Sequence, residues 1–115
     1  MEFPEMPLGV IDWAGVAVET VAGTTGAASG RAVQQGDVQM RVVDYGAGYV
    51  ADHWCAKGHI LFVVSGNLAI EHQDGTRFDL TPGMVWHVGE GEPAGNSFSP
   101  HRVVCNGGAR VFIVD

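Results

Sequence analysis

Positive charge is scarce in this sequence. Six Lys and Arg stand against 13 Asp and Glu, which leaves a net charge of -7. Lys57 is the only lysine. No basic patch is available to neutralise a phosphate backbone, so nucleic acid is not an expected partner. Long apolar runs are missing too. Nothing approaches the ~20 consecutive apolar residues of a membrane span. Met1 to Pro7 carries two acidic residues and no basic one, without the apolar stretch of a signal peptide. A cytoplasmic location is the expectation. A sustained 3.6-residue period with caps is absent, as are internal repeats, so helices are not expected to build the fold.

What is present fits one folded domain. The chain has 115 residues, 46% hydrophobic and 17% charged, a balance that argues against disorder. It holds 17 glycines, close to twice the ordinary share of about 7%. Glycine at that density punctuates many short strands. Met1 to about Gly15 reads as an irregular arm whose Phe3, Leu8, Ile11 and Trp13 need a surface to pack on. Val16 to Val21 alternates loosely and predicts a strand, and Ala22 to Gly30 predicts a loop. Gln34 to Tyr45 alternates about a Gly36-Asp37 turn, with Gln39, Arg41 and Val43 on one parity.

Short strands then follow at 49–55, 59–64, 67–72, 77–80, 84–88, 101–105 and 110–114. Ser65-Gly66 and Asp74-Gly75 read as tight hairpins. Gly89 to Pro100 reads as a long polar loop. Strands recurring every 8–12 residues or so predict an all-β sandwich or barrel. Phe62, Val64, Met84, Trp86 and Met40 are expected to fill its interior.

The chemistry concentrates in Asp52-His53-Trp54-Cys55-Ala56-Lys57-Gly58-His59. Alternate residues of a strand share a face, so His53 and Cys55 should point together, with Asp52 and Trp54 facing away. Gly58 allows a sharp turn that returns His59 beside them. Pro100-His101 opens another strand, and an antiparallel layer would place His101 opposite the trio. One inward histidine is more often a hydrogen-bonded core residue than a ligand. Three candidate ligands within seven positions favour a metal. His53, Cys55, His59 and His101 suit zinc, copper or iron and not magnesium or calcium.

Cys105 lies four positions past His101, about 13 Å along the strand. A disulfide needs Cα atoms within about 7 Å, so both cysteines are expected to be free. His72, before Asp74-Gly75, is expected to be solvated. His87 reads as a pocket residue or, in preference, a partly buried strand histidine. Lys57 either reaches a substrate anion or faces water.

The run Gly48-x4-His53-x-Cys55-x3-His59-x6-Gly66 resembles the first cupin motif, and Pro82-Gly83 with His101-x4-Asn106 resembles the second. The likeness covers Val38 to Asp115. More narrowly, Asp52-His53-Trp54-Cys55, Pro100-His101-Arg102 and Arg110 to Asp115 resemble the small bacterial DHCW motif cupins. The resemblance implies an all-β, single-domain cupin barrel of the jelly-roll type over 36–115, with 1–35 as an arm and first strands packing on it. It also implies one divalent transition metal ion per chain: iron, copper or zinc. The family ligands His, His, Glu and His fall on His53, Cys55, His59 and His101. Cys replaces the second His and His replaces Glu, so the negative charge moves from oxygen to sulfur. Gly89 to Pro100 looks like an insertion relative to the family.

Three functions remain open on these residues: a metalloenzyme acting on a small molecule, a non-catalytic metal, redox or small-ligand sensor, and a barrel with inert histidines. A small-molecule ligand and a homodimer are the partners such a resemblance implies.

Overall fold

The computed structural model describes residues 2–90 and 100–115, so most of the Gly89 to Pro100 loop lies outside the described residues. Among the described residues the chain is all-β apart from one 3-10 turn, Trp13–Gly15, which Asp12 caps by accepting from the Ala14 amide. Ten strands follow: β1 (Glu19–Ala22), β2 (Ala27–Gln35), β3 (Val38–Tyr45), β4 (Tyr49–Val50), β5 (His59–Gly66), β6 (Leu68–His72), β7 (Arg77–Leu80), β8 (Val85–Val88), β9 (His101–Cys105) and β10 (Ala109–Val114). They form two sheets, ordered β1-β2-β3-β10-β5-β8 and β4-β9-β6-β7, and every pairing is antiparallel. Among the described residues no helix is long and apolar enough to cross a membrane.

Period-two alternation decides which side chains enter the core. Across the six-stranded sheet, Val43 pairs with Val111 and Val111 with Val63, while Arg41 pairs with Ile113 and Ile113 with Leu61. These two rows face inward, and Val63 and Val111 have no exposed surface. Leu68, Ile70, Cys105 and Tyr49 meet them from the four-stranded sheet. The opposite parity of β5 and β8 is outside. Ile60, Phe62, Val64 and Val85 are 39–51% exposed, and Met84 just before β8 is 46% exposed. Phe62, Val64 and Met84 therefore do not fill the interior. Large apolar residues occupy both parities of β5, so apolar character alone did not mark its inner face.

Three other expectations are corrected. Ala22 to Gly30 is not all loop, because β2 begins at Ala27 and pairs with β1 from there. Small residues carry little strand propensity, and pairing to β3 overrides it. Ser65-Gly66 is not a hairpin: β5 and β6 belong to different sheets, so this corner carries the chain from one to the other. Gly66 has φ +75°, and a Cβ there would collide with the Gly108 carbonyl at the neighbouring corner. The strand expected over 49–55 stops at Val50 and bends at Asp52-His53, although Cys55 rejoins the sheet as a single bridge to His101. Asp74-Gly75 does join a hairpin, β6 to β7.

Part of the arm packs on the sheets. The Trp13 ring meets Phe112 edge-on at 6.5 Å, and the Glu5 carbonyl accepts from the Asp37 amide. Phe3, Leu8 and Val10 remain exposed.

Candidate metal centre

Cys55, His59 and His101 converge at one end of the space between the sheets. One donor atom from each lies within 4.8 Å of the others. The backbone sets this up. Cys55 N donates to the His101 carbonyl at 2.7 Å and His101 N to the Cys55 carbonyl at 2.9 Å, so the two residues are locked as neighbours. His59 opens β5 on the sheet opposite, on the same inward parity as Leu61 and Val63. Its Nε2 lies 3.3 Å from the Cys55 Sγ, and its ring stands nearly perpendicular to that of His101 at 5.2 Å.

His53 is not part of this group. Its side chain is 76% exposed, and its Nδ1 lies 2.7 Å from the Asp52 carboxylate. The parity argument that paired His53 with Cys55 fails because the chain bends at 52–53 instead of running on as a strand. His53 stands on the wall of the cavity that the other three line. The hydrogen bond from His53 holds the Asp52 carboxyl below its usual range. Trp54 lies under the Arg102 guanidinium, 4.4 Å from its carbon, so it packs rather than faces the donors.

The donors sit in surroundings that keep the imidazoles neutral. Burial pushes His101 down to about 4, aided by the nearby His59 and His72 rings. Burial also lowers His59, against the opposing pull of Asp115. Neutral imidazole is the form that ligates a metal. The Asp115 Oδ2 lies 3.1 Å from His59 Nδ1 and accepts from Arg41 Nη2 at 3.0 Å. Asp115 is fixed by two backbone hydrogen bonds to Gln39. The result is a chain of contacts from Arg41 through Asp115 and His59 to Cys55. Carboxylate on one imidazole nitrogen, with the other nitrogen aimed at a thiol, is a common outer-shell arrangement of metal sites. The residues present fit a transition metal ion.

The donors line a cavity of about 170 Å³ shared with Arg41, Tyr45, Tyr49, Trp86 and Arg102. Trp86 is buried, with its ring 4.6 Å from that of His101. Arg102 is held by Glu71 through two hydrogen bonds.

No protein-family model and no curated protein matches this sequence. Solved structures do match. An RmlC-like cupin from Shewanella frigidimarina superposes with a TM-score of 0.70 at 17% identity, over 95% of this chain and 90% of that one. The polyketide cyclase RemF from Streptomyces resistomycificus gives 0.71 at 15% identity, over 94% and 78%. A predicted oxalate decarboxylase from Thermotoga maritima gives 0.71 at 12% identity, over 92% and 96%.

The chain has the cupin fold.

In this cupin barrel, sequence reasoning missed Asp115 and Arg41. Both carried a usable signal. Asp115 continues the inward row Val111, Ile113, and Arg41 continues the row Val43, Tyr45. A charged residue on a buried parity is held by a partner or serves a site. His72 was expected in water and is instead buried, against Phe78, Trp86 and His101. It pairs directly with His101 across β6 and β9, and both face inward. His87 is exposed on the outside of β8. Cys105 is buried, unbridged, and donates to the Asn67 carbonyl, while burial raises its thiol.

Proposed function

We propose that this cupin holds one divalent transition metal ion (iron, copper or zinc) and catalyses a reaction of a small molecule there. The observation that carries the reading is the convergence of Cys55, His59 and His101 on an open cavity. Three protein ligands leave a coordination position free, the hallmark of catalytic rather than structural sites. Similarly folded proteins that are named as enzymes, the polyketide cyclase among them, support this.

The bound ion would supply Lewis acidity or, if iron or copper, oxygen activation. The chain's own residues do the rest. The Asp115 carboxylate, 3.1 Å from His59 Nδ1, favours the tautomer protonated on that nitrogen, which leaves the Nε2 lone pair directed at the site. Arg41 balances the Asp115 charge. Trp86 and the half-buried Tyr45 shield the donors from water, and burial raises the Tyr45 phenol so that it stays protonated. The sequence motif adds His53 as a fourth ligand. That role requires its ring to leave Asp52 and turn into the cavity.

A sensor is the second reading. It is favoured by the Cys55 thiol, half-buried and within 3.3 Å of an imidazole nitrogen, where oxidation would disrupt the donor set.

Metal analysis of untagged protein by plasma mass spectrometry tests the reading, with wild type beside Cys55→Ser, His101→Ala and His53→Ala. The expected result is about one ion per chain in wild type and loss of most of it in the Cys55 and His101 variants. Retention in His53→Ala fixes the set at three, and loss fixes it at four. Iron or copper directs the next assays to oxygen-dependent chemistry. Near-stoichiometric zinc held by four ligands turns them to sensing. No metal in any of the proteins refutes the centre.

A further inference from the structure

The metal cavity is small, about 170 Å³, below the several hundred Å³ typical of small-molecule sites. A second cavity of about 440 Å³ shares four of its lining residues: Arg41, Tyr45, Tyr49 and His53. The strand register shows that the two lie on one surface. Ala28 pairs with Tyr45, Gly30 with Val43 and Ala32 with Arg41, so these β2 residues share the inward parity of β3. The same row continues through Ile113 and Leu61 to the donors. The six-stranded sheet is two strands wider than the one facing it, and although the turn between β1 and β2 bridges to Val50 of β4, β1 itself lies open. All four β1 residues are exposed, Val21 at 56%.

Val16, Val21, Ala28 and Val43 give the outer cavity an apolar wall, with the charged Glu19 and Arg31 also lining it. Arg41 stands where the two cavities meet. Its partner Asp115 and a Cys55 thiolate together carry two negative charges, fewer than Arg41 and a divalent ion supply. The junction therefore favours an anionic group.

We infer that the substrate is an amphiphilic carboxylate, its head in the metal cavity beside Arg41 and its apolar chain along the groove over Ala28, Gly30 and Ala32. This rests on the metal reading for the head group; the groove itself rests on register and shape. Gly30 has ordinary backbone angles, and a Cβ there would meet Val43 Cγ2 at 3.6 Å, an ordinary contact. A larger side chain at that position would occupy the groove without forcing the backbone.

The test is calorimetric binding of acetate, butyrate, hexanoate and octanoate to wild type, Gly30→Leu and Ala32→Leu, with metal content measured on the same samples. Wild type is expected to tighten by about fourfold per methylene buried. Each leucine variant should flatten that rise while keeping acetate affinity, metal content and melting temperature. Two variants are used so that misfolding of one does not decide the matter. Affinity independent of chain length in metal-loaded wild type overturns the groove. A length dependence that both leucine variants leave intact overturns it equally. A length dependence sensitive to the leucines in wild type that holds no metal supports the groove and shows that it does not depend on the metal reading.

Discussion

His101 shows how one residue's burial becomes a measurable property. Its pKa is pushed down to about 4 in the fold, against about 6.5 in an unfolded chain. The unfolded state therefore binds the extra proton first as pH falls. In metal-free protein this residue's effect on stability is neutral above pH ~6.5. Stability then declines between about 6.5 and 4, and this contribution levels off below that. Melting temperature against pH should show the decline in wild type and a shallower one in His101→Gln. Asp115 acts through His59 instead. Asp115→Ala should weaken metal binding 10–100-fold or so in a chelator competition, and Asp115→Asn, which keeps an acceptor oxygen, should weaken it less. Equal loss in both would point to charge rather than orientation.

At the scale of strands and corners, adjacent residues have opposite fates. Val63 is fully buried in β5 and Val64 is 48% exposed. Val63→Ala should cost about 2 kcal/mol from lost burial and the cavity left behind. Val64→Ala should stay within about 0.5 kcal/mol. Denaturant unfolding of the pair checks the register directly, since a one-residue slip would exchange the two values. The corners differ in the same way. Gly66 and Gly75 both have positive φ, but Gly75 has open space around its Cα and Gly66 is pressed against Gly108. Gly75→Ala should cost the left-handed strain alone, about 1–2 kcal/mol. Gly66→Ala adds a backbone collision and should cost clearly more by the same measurement.

For the whole molecule, net charge and fold pull apart as sources of information. Acidic excess and a pI near 5.0 place minimum solubility near pH 5, which light scattering across pH would check. That expectation needs no structure. The all-β class was likewise legible, because glycine-punctuated alternation has few other solutions. Three donors were legible because a bridge, a turn and a strand start lie where their spacing suggests. The bend at Asp52-His53 was not, since a two-residue interruption leaves no mark in composition. Nor were the sheet-switching corners, because a turn's residues set its local geometry and not which sheet receives the next strand. The sequence by itself therefore determined the alternation, the charge and the donor types. The tertiary structure alone decided which parity of each strand is inside, which donors meet, and that Arg41 and Asp115 join them. Those are contacts between residues as far as 74 positions apart, fixed by register across the sheets and not by any local pattern.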